Sequence, residues 1–531
     1  MGERNQGGVT IATRAQGMIE QVMRGRVADH PGETWLKWKD EEYPWREVLS
    51  NIQRVANGLL ELGVRPGDRV AILMGNRPEF LWTHFAILFI GALSVPVNIS
   101  QRGPTLRHIL GDSSAQAVVV ADELRDALLA VKDGLPGLRH TVVVDGKPGD
   151  GIDWDFDRLM DAPDREPEVA LDEPTGGVGM MYTSGTTGPP KGVVATRYDL
   201  APLQVLLQAS GVRPGETMYT PLPLFHGNAL LVSAAGSVVL DAKLALGERF
   251  SASRFWDEVR RYEAVEFNSL GGMLSILLKQ PSHPDDADNP ARVVLSAGCP
   301  PDRWEDFQDR FAVRIIEWFG MVDAPGILLN TEGRVGAMGK AVAGVEFRVV
   351  DAQDRPVPPG TVGELVFRHP KGELTYYENQ PDATAEAYRG GWFHSGDLAE
   401  CDEDGFFYYR GRKKESMRRL GENISAWEIE TVANQHPAVL ESAAHAVRSE
   451  LGEDEVKVVV VARPGERPTP EEILDFCRGR MAHYAIPRYV EFVDELPKGG
   501  TQRIQYGALK KRGVTPGTWD REAAGYRVER A

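Results

Sequence analysis

The stretch Tyr182-Thr-Ser-Gly-Thr-Thr-Gly-Pro-Pro-Lys-Gly-Val-Val194 constrains this chain more than any other part of it. Thr183, Ser184, Gly185, Thr186, Thr187 and Gly188 follow one another, and a lysine, Lys191, sits just after a Pro-Pro turn. Glycines let the backbone approach a ligand closely, and their N–H groups with the Ser and Thr hydroxyls form a ring of donors for phosphate oxygens. The spacing is not that of a Walker A loop, because the lysine follows two prolines and no Gly-Lys-Ser/Thr closes the run. The chain as a whole repels phosphates, with a net charge of −17. Nucleic acid is therefore not an expected partner, and phosphate binding must come from local sites.

At 531 residues the chain exceeds one ordinary core, so two or more domains are expected. Its 42% apolar and 26% charged residues are those of a soluble globular protein. Trp45, Val48, Ile52, Val55, Leu59 and Leu62 recur at helical spacing, and a turn at Gly67-Asp68 leads into an apolar strand, Arg69–Met74. A helix over Phe80–Ile90, then strands at Leu93–Val97, Ala117–Ala121 and Thr141–Asp145, continue the alternation. A second set of strands is expected at Thr217–Pro221, Ser237–Leu240, Ala264–Asn268, Val293–Ala297 and Arg314–Glu317. Continuous apolar strands alternating with helices predict parallel α/β sheets covered on both faces. Past Val335 the segments become shorter and β-rich, at Val345–Val350 and Gly363–Arg368. The last part carries a strand, Val456–Ala462, and a helix, Pro470–Met481. The expected boundary lies at Gly411-Arg-Lys-Lys414, giving domains 1–411 and 412–531.

Cys299, Cys401 and Cys477 lie far apart and unpaired, which fits a reducing cytoplasm rather than a disulfide framework or a zinc site. The polar N-terminus has no apolar core of a signal peptide. The most apolar run, Phe80–Val97, is interrupted by His84, Gly91 and Pro96, so no membrane span is expected.

The 182–194 string resembles the phosphate-binding signature of the adenylate-forming enzymes, and further segments match that superfamily in order. Thr220-Pro-Leu-Pro-Leu-Phe-His-Gly227 is similar to its acyl-pocket motif, with His226 as a wall residue. Ser296-Ala-Gly-Cys-Pro300 and Glu317-Trp-Phe-Gly320, extended to Met321, resemble the two strand-end loops that hold adenine. The resemblance assigns Gly298, Cys299, Pro300, Glu317, Trp318, Phe319, Gly320 and Met321 to the nucleotide, together with Thr183–Thr187 and Lys191. Strand C-termini are where open α/β sheets bind nucleotides. Gly391-Trp-Phe-His-Ser-Gly-Asp397 resembles the motif whose aspartate accepts from both ribose hydroxyls, and a carboxylate suits a cis-diol because it offers two acceptor oxygens. Arg412 resembles the second ribose contact, Lys414 the hinge, and Gly421-Glu-Asn-Ile-Ser425 the loop lining the pantetheine tunnel. Asn268, Gly271 and Gly272 would line the acyl pocket, where the paired glycines leave room for a bulky acid.

The resemblance implies a large N-terminal domain of two doubly wound sheets with a β-barrel-like part, and a small mobile α+β C-terminal domain. It implies an acyl-CoA synthetase using ATP or acyl-AMP, coenzyme A and Mg²⁺. Two regions depart from the pattern. The final motif usually reads Leu-Pro-x-Thr-x-Thr-Gly-Lys-Ile, whereas here Leu496-Pro-Lys-Gly-Gly-Thr-Gln-Arg-Ile504 puts Arg503 in place of the catalytic lysine. An arginine fork does not deliver a compact ammonium between two small oxyanions. After Gly320 the family places a hydroxyl residue and then a magnesium-binding glutamate, where this chain has Val322 and Asp323. All three positions belong to the adenylation half, while the thioester-forming positions are retained. These departures resemble those of the non-adenylating ligase type of platensimycin-type diterpenoid biosynthesis, and imply a separate adenylating enzyme as partner. The alternatives are a complete two-step ATP-dependent ligase and a non-catalytic AMP-binding protein. A peptide-synthetase adenylation domain is disfavoured because the sequence stops at Ala531 without a carrier domain.

Overall fold

A computed structural model describes residues 19–169, 179–183, 189–196, 200–270, 272–342, 344–413, 416–419, 422–448, 454–478, 480–481, 485–499 and 503–527. The chain forms two compact units. The first comprises residues 1–183, 190–335 and 371–381, and the second comprises 184–189, 336–370 and 382–531.

The first unit is built on parallel sheets. One has the order Leu93–Pro96, Arg69–Leu73, Ala117–Ala121, His140–Val144 and Trp154–Asp155, parallel throughout. Strands such as Ala117–Ala121 are buried along their whole length because helices cover both faces, which is why they read as unbroken apolar runs. The helix Trp45–Glu61 turns Trp45, Val48, Ile52, Val55 and Leu59 into the core, each side chain contributing roughly 1.5–3 kcal/mol on burial.

The larger sheet runs Leu328–Asn330, Arg314–Phe319, Val293–Ala297, Ala264–Leu270, Thr217–Thr220, Lys243–Leu246, Thr34–Trp38 and Glu41–Pro44. Its six strands from Arg314–Phe319 to Thr34–Trp38 are mutually parallel. A small antiparallel sheet joins Thr375–Tyr377, Lys191–Ala195 and Gly179–Thr183.

One expected strand is a helix. Ser237–Leu240 lies in the helix Gly236–Leu240, which continues a π-helix, Asn228–Ala235, and stops where Asp241 turns left-handed at φ 57°. The strand of that region is Lys243–Leu246. A short apolar run carries no period that separates strand from buried helix, so the local pattern could not decide it. The expected helix 470–481 is also shorter, ending at Cys477 where Arg478 becomes extended. Its start is fixed by a capping box in which Thr469 and Glu472 satisfy each other's backbone N–H groups.

The second unit holds an antiparallel sheet in the order Glu346–Val350, Gly363–Arg368, Phe393–Cys401 and Phe407–Arg412. A second sheet orders Val439–Arg448, Asp454–Ala462, Tyr489–Phe492 and Thr518–Asp520, packed with the helices Ala426–Asn434 and Pro470–Cys477 around one apolar cluster. The fold class is thus mixed α/β, as the motifs imply. No described helix is long and apolar enough to cross a membrane.

Candidate active site

Four parallel strands of the first unit, Thr217–Thr220, Ala264–Leu270, Val293–Ala297 and Arg314–Phe319, end on the same edge of one sheet. The segments that follow Thr220, Asn268, Ser296 and Glu317 leave from that end, where nucleotides bind in folds of this class.

Glu317 reaches from its strand to the next one. Its carboxylate accepts from the backbone N–H of Gly298 at 2.5 Å and of Cys299 at 3.2 Å. Gly298 has φ 101°, a conformation open to glycine and strained for other residues, so the turn after Ala297 depends on it. Burial pushes the Glu317 carboxyl up to about 8, against the pull of the two backbone donors and Ser296. Glu317 therefore works as a clamp that shapes the 298–300 loop, with Cys299 buried beside it. Burial also drives the Cys299 thiol upward, with Glu317 adding to it, which makes this sulfur a poor nucleophile.

The segment after Thr220 is anchored by a residue that the motifs do not mark. Asn76, buried after the strand Arg69–Leu73, donates to the carbonyls of Leu222 and Gly247, both at 2.8 Å. Its Oδ1 accepts from Leu224 N–H, also at 2.8 Å. His226 follows, its ring 4.7 Å from that of Phe225, and its carbonyl accepts from Leu230 in the π-helix. Gly227 lies against the 317–323 segment so closely that a Cβ there would sit 2.7 Å from Cγ1 of Val322. The acyl-pocket motif and the altered metal-side motif thus touch.

Asp323 is held at both its backbone and its side chain. Thr375 Oγ1 donates to its carbonyl, and Tyr377 Oη donates to Oδ1 at 3.0 Å. The same Tyr377 ring lies under Lys191, whose Nζ is 4.5 Å from the ring centre. Lys191 opens its strand opposite Thr183 in register. Tyr377 therefore links the lysine of the phosphate-loop string to Asp323, a role no motif announces. A carboxylate at this place is a hard oxygen donor of the kind Mg²⁺ takes alongside phosphate oxygens and water.

Asn268 is fully buried and donates to Oδ1 of Asn228 at 2.6 Å. Gly272 immediately precedes the helix Met273–Leu278. Pro300 follows the strand Val293–Ala297, while Trp318 and Phe319 end the strand Arg314–Phe319 and Gly320 and Met321 come after it, with Trp318 buried and Phe319–Met321 half-buried. Ser184, Gly185, Thr186, Thr187, Gly271, Lys414 and Gly421 lie outside the described residues.

In the second unit Asp397 and Arg412 are directly opposed on adjacent strands. Arg412 Nε is 2.8 Å from Asp397 Oδ1, and the carboxylate is 1% exposed while the guanidinium is 41% exposed. Arg503 precedes an isolated bridge between Lys498 and Ile504, and its carbonyl accepts from Gly499. Lys498 is paired with Glu441 at 2.6 Å. Asp354, Glu364 and His394 also converge. Arg389 and Lys413 donate to those carboxylates, so they form a salt-bridge network rather than a metal centre. Burial works to raise Glu364, but hydrogen bonds from His394 and Lys413 outweigh it and hold the carboxyl down at about 2.

Residues 23–377 match the AMP-binding enzyme family and residues 428–503 match the AMP-binding enzyme C-terminal domain. The chain belongs to the AMP-binding enzyme family, the adenylate-forming superfamily. A crotonobetaine/carnitine–CoA ligase of Salmonella agona is 29% identical over 489 residues, covering 88% of this chain and 93% of that protein. An anthranilate CoA ligase solved with anthranoyl-AMP superposes with a TM-score of 0.84 at 27% identity, covering 93% of this chain and 96% of that one. An o-succinylbenzoate CoA synthetase of Bacillus subtilis, solved with ATP and magnesium, gives a TM-score of 0.78 at 25% identity, covering 92% and 99% of the two chains.

Proposed function

We propose that this enzyme makes acyl-CoA from an acyl-adenylate and coenzyme A, and that its own ATP-dependent adenylation is weakened or lost. The observation that carries this reading is the contact of Val322 with Gly227. An aliphatic side chain packs against the acyl-pocket motif at the place where the family presents a hydroxyl to phosphate. Arg503 in place of the final-motif lysine and Asp323 in place of a glutamate support it from the same half-reaction. Lys498 is a poor substitute for the lost lysine, because Glu441 already holds it.

Adenylation joins a carboxylate oxygen to the α-phosphorus and expels pyrophosphate. Charge builds at that phosphorus centre, and cations set close to it are what lower the barrier. Thioesterification differs: the thiolate sulfur attacks the acyl carbonyl and AMP leaves with the bonding electron pair. It needs adenylate binding, which Asp397 with Arg412 and the Glu317-clamped loop are suited to supply, and a lid that turns at Lys414 to admit coenzyme A through the Gly421–Ser425 loop. Mg²⁺ on Asp323 would offset phosphate charge. The domain boundary at residues 411–412 and the roles of all these residues belong to this reading.

A second reading, a complete two-step carboxylic acid–CoA ligase, is favoured by the relatives, which are named as CoA ligases and span nearly the whole chain. The two separate by experiment. Under our reading, synthetic acyl-AMP with coenzyme A yields acyl-CoA, while free acid with ATP releases little pyrophosphate. Comparable rates in both assays would make it a two-step ligase.

A further inference from the structure

Glu266 sits within the strand Ala264–Leu270, completely buried, and neither of its carboxylate oxygens has a hydrogen-bond partner. A charge left alone in such a place is heavily penalised. Burial accordingly pushes this carboxyl well above the usual carboxylate range, so the group is a neutral acid with one O–H to donate.

Its surroundings are as open as it is. Residues two apart along a strand share a face, so Glu266 and Asn268 project together. Phe267, on the opposite face, packs among Phe255 and Trp256. The Asn268–Asn228 bond brings the π-helix Asn228–Ala235 onto the Glu266 face. Ser233 lies five residues beyond Asn228, one turn along in a helix whose bonds run i to i+5. Asn228 Nδ2, Ser233 Oγ and Asn268 Oδ1 are buried and, like both oxygens of Glu266, have no partner. Four side chains on two facing elements thus leave five polar atoms unsatisfied. With Glu266 neutral, Glu266, Asn228 and Ser233 each offer an N–H or O–H, while Asn268 Oδ1 and the second Glu266 oxygen offer acceptors, so the group is matched by a polar function rather than by hydrocarbon. Asn228 stands two residues after His226, so the group adjoins the acyl-pocket motif, and π-helical turns concentrate at functional sites.

We propose that Glu266, with Asn228 and Ser233, forms a polar pole of the acyl pocket that selects acids carrying an oxygen function, a ketone, ether or hydroxyl, remote from the carboxylate. This rests on the acyl-CoA ligase reading. A pocket built to hydrogen-bond such a group rejects the hydrocarbon analogue strongly, because its own buried donors would then stay unpaired.

The test uses the full-length enzyme and isosteric acyl-adenylates: 4-oxocyclohexanecarboxyl-AMP against 4-methylenecyclohexanecarboxyl-AMP, and 4-oxoadamantane-1-carboxyl-AMP against its 4-methylene counterpart. Acyl-CoA formation should favour the oxo member of at least one pair by about tenfold or more in kcat/KM, chiefly through KM. Glu266→Leu should erase that preference by improving the hydrocarbon and weakening the ketone, whereas Glu266→Gln, which keeps an N–H donor, should retain most of it. No preference in the unmodified enzyme, or a Leu variant that loses both members alike, overturns the proposal and leaves trapped water as the partner of these groups. If the Leu variant does not fold, the unmodified enzyme and the Gln variant decide. If no adenylate yields a thioester, the ligase reading fails on its own, and calorimetric affinity for the same pairs still decides the polar pole.

Discussion

Asp397 and Arg412 face each other in register across two antiparallel strands, with a guanidinium nitrogen 2.8 Å from a carboxylate that is almost wholly buried. The arginine, nearly half exposed, orients the carboxylate and shields its charge, and under the proposed reading the acid would offer acceptor oxygens to a ribose diol. Asp397→Ala should weaken AMP binding by roughly 1–3 kcal/mol, the usual cost of losing hydrogen bonds to a charged group. Calorimetry reads this directly, and an unchanged affinity would remove Asp397 from the nucleotide site.

The adenylation half should respond to restoration of the family residues. Arg503→Lys should raise pyrophosphate release from acid and ATP, and adding Val322→Thr should raise it further, with ~100-fold in total as the scale of one recovered electrostatic contact. Rapid release by the unmodified enzyme across a broad acid panel would show that Arg503 and Val322 never limited the step.

Gly227 and Val322 should be energetically coupled. Gly227→Ala puts a Cβ within 2.7 Å of Val322 Cγ1, and overpacking of that kind typically costs about 1–3 kcal/mol. In a Val322→Ala background the same change should cost less, because the opposing methyl is gone. Equal costs in both backgrounds, measured by denaturant unfolding, would refute the contact.

Glu317 should make stability depend on pH. Its carboxyl stands at about 8 in the folded chain, above the ordinary value of 4.5, because it is buried. Below pH 4.5 the proton is held in both folded and unfolded chains, and the full contribution to stability is present. As pH rises toward 8 only the unfolded chain ionises readily, so that contribution is progressively lost. The unmodified enzyme should therefore lose more Tm between pH 5 and 8 than Glu317→Gln does. Parallel Tm profiles would show that Glu317 is ionised throughout.

The fold and the strand-end loops were legible because both are local. Continuous apolar strands such as Ala117–Ala121 and the helical spacing from Trp45 to Leu59 follow from two-sided and one-sided burial, and the glycine after Ala297 is required by its own backbone angle. The run at 237–240 was not legible, because a few apolar residues fit a strand and a buried helix equally well. Asn76, Tyr377, Asn228 and Glu266 were missed for a different reason. Each acts through a neighbour far along the chain, as when Tyr377 meets Asp323, and nothing in the residues beside it signals that distant partner.

Asn76 ties the strand-end turn of one sheet to two separate strand-end loops of another, through three bonds from a single amide group. Folding has to reckon with that knot. Each such bond contributes about 0.5–1.5 kcal/mol, so the loop that carries His226 draws part of its stability from the sheet that places Asn76. Loosening the first sheet would therefore also loosen the two loops that follow Thr220 and Leu246.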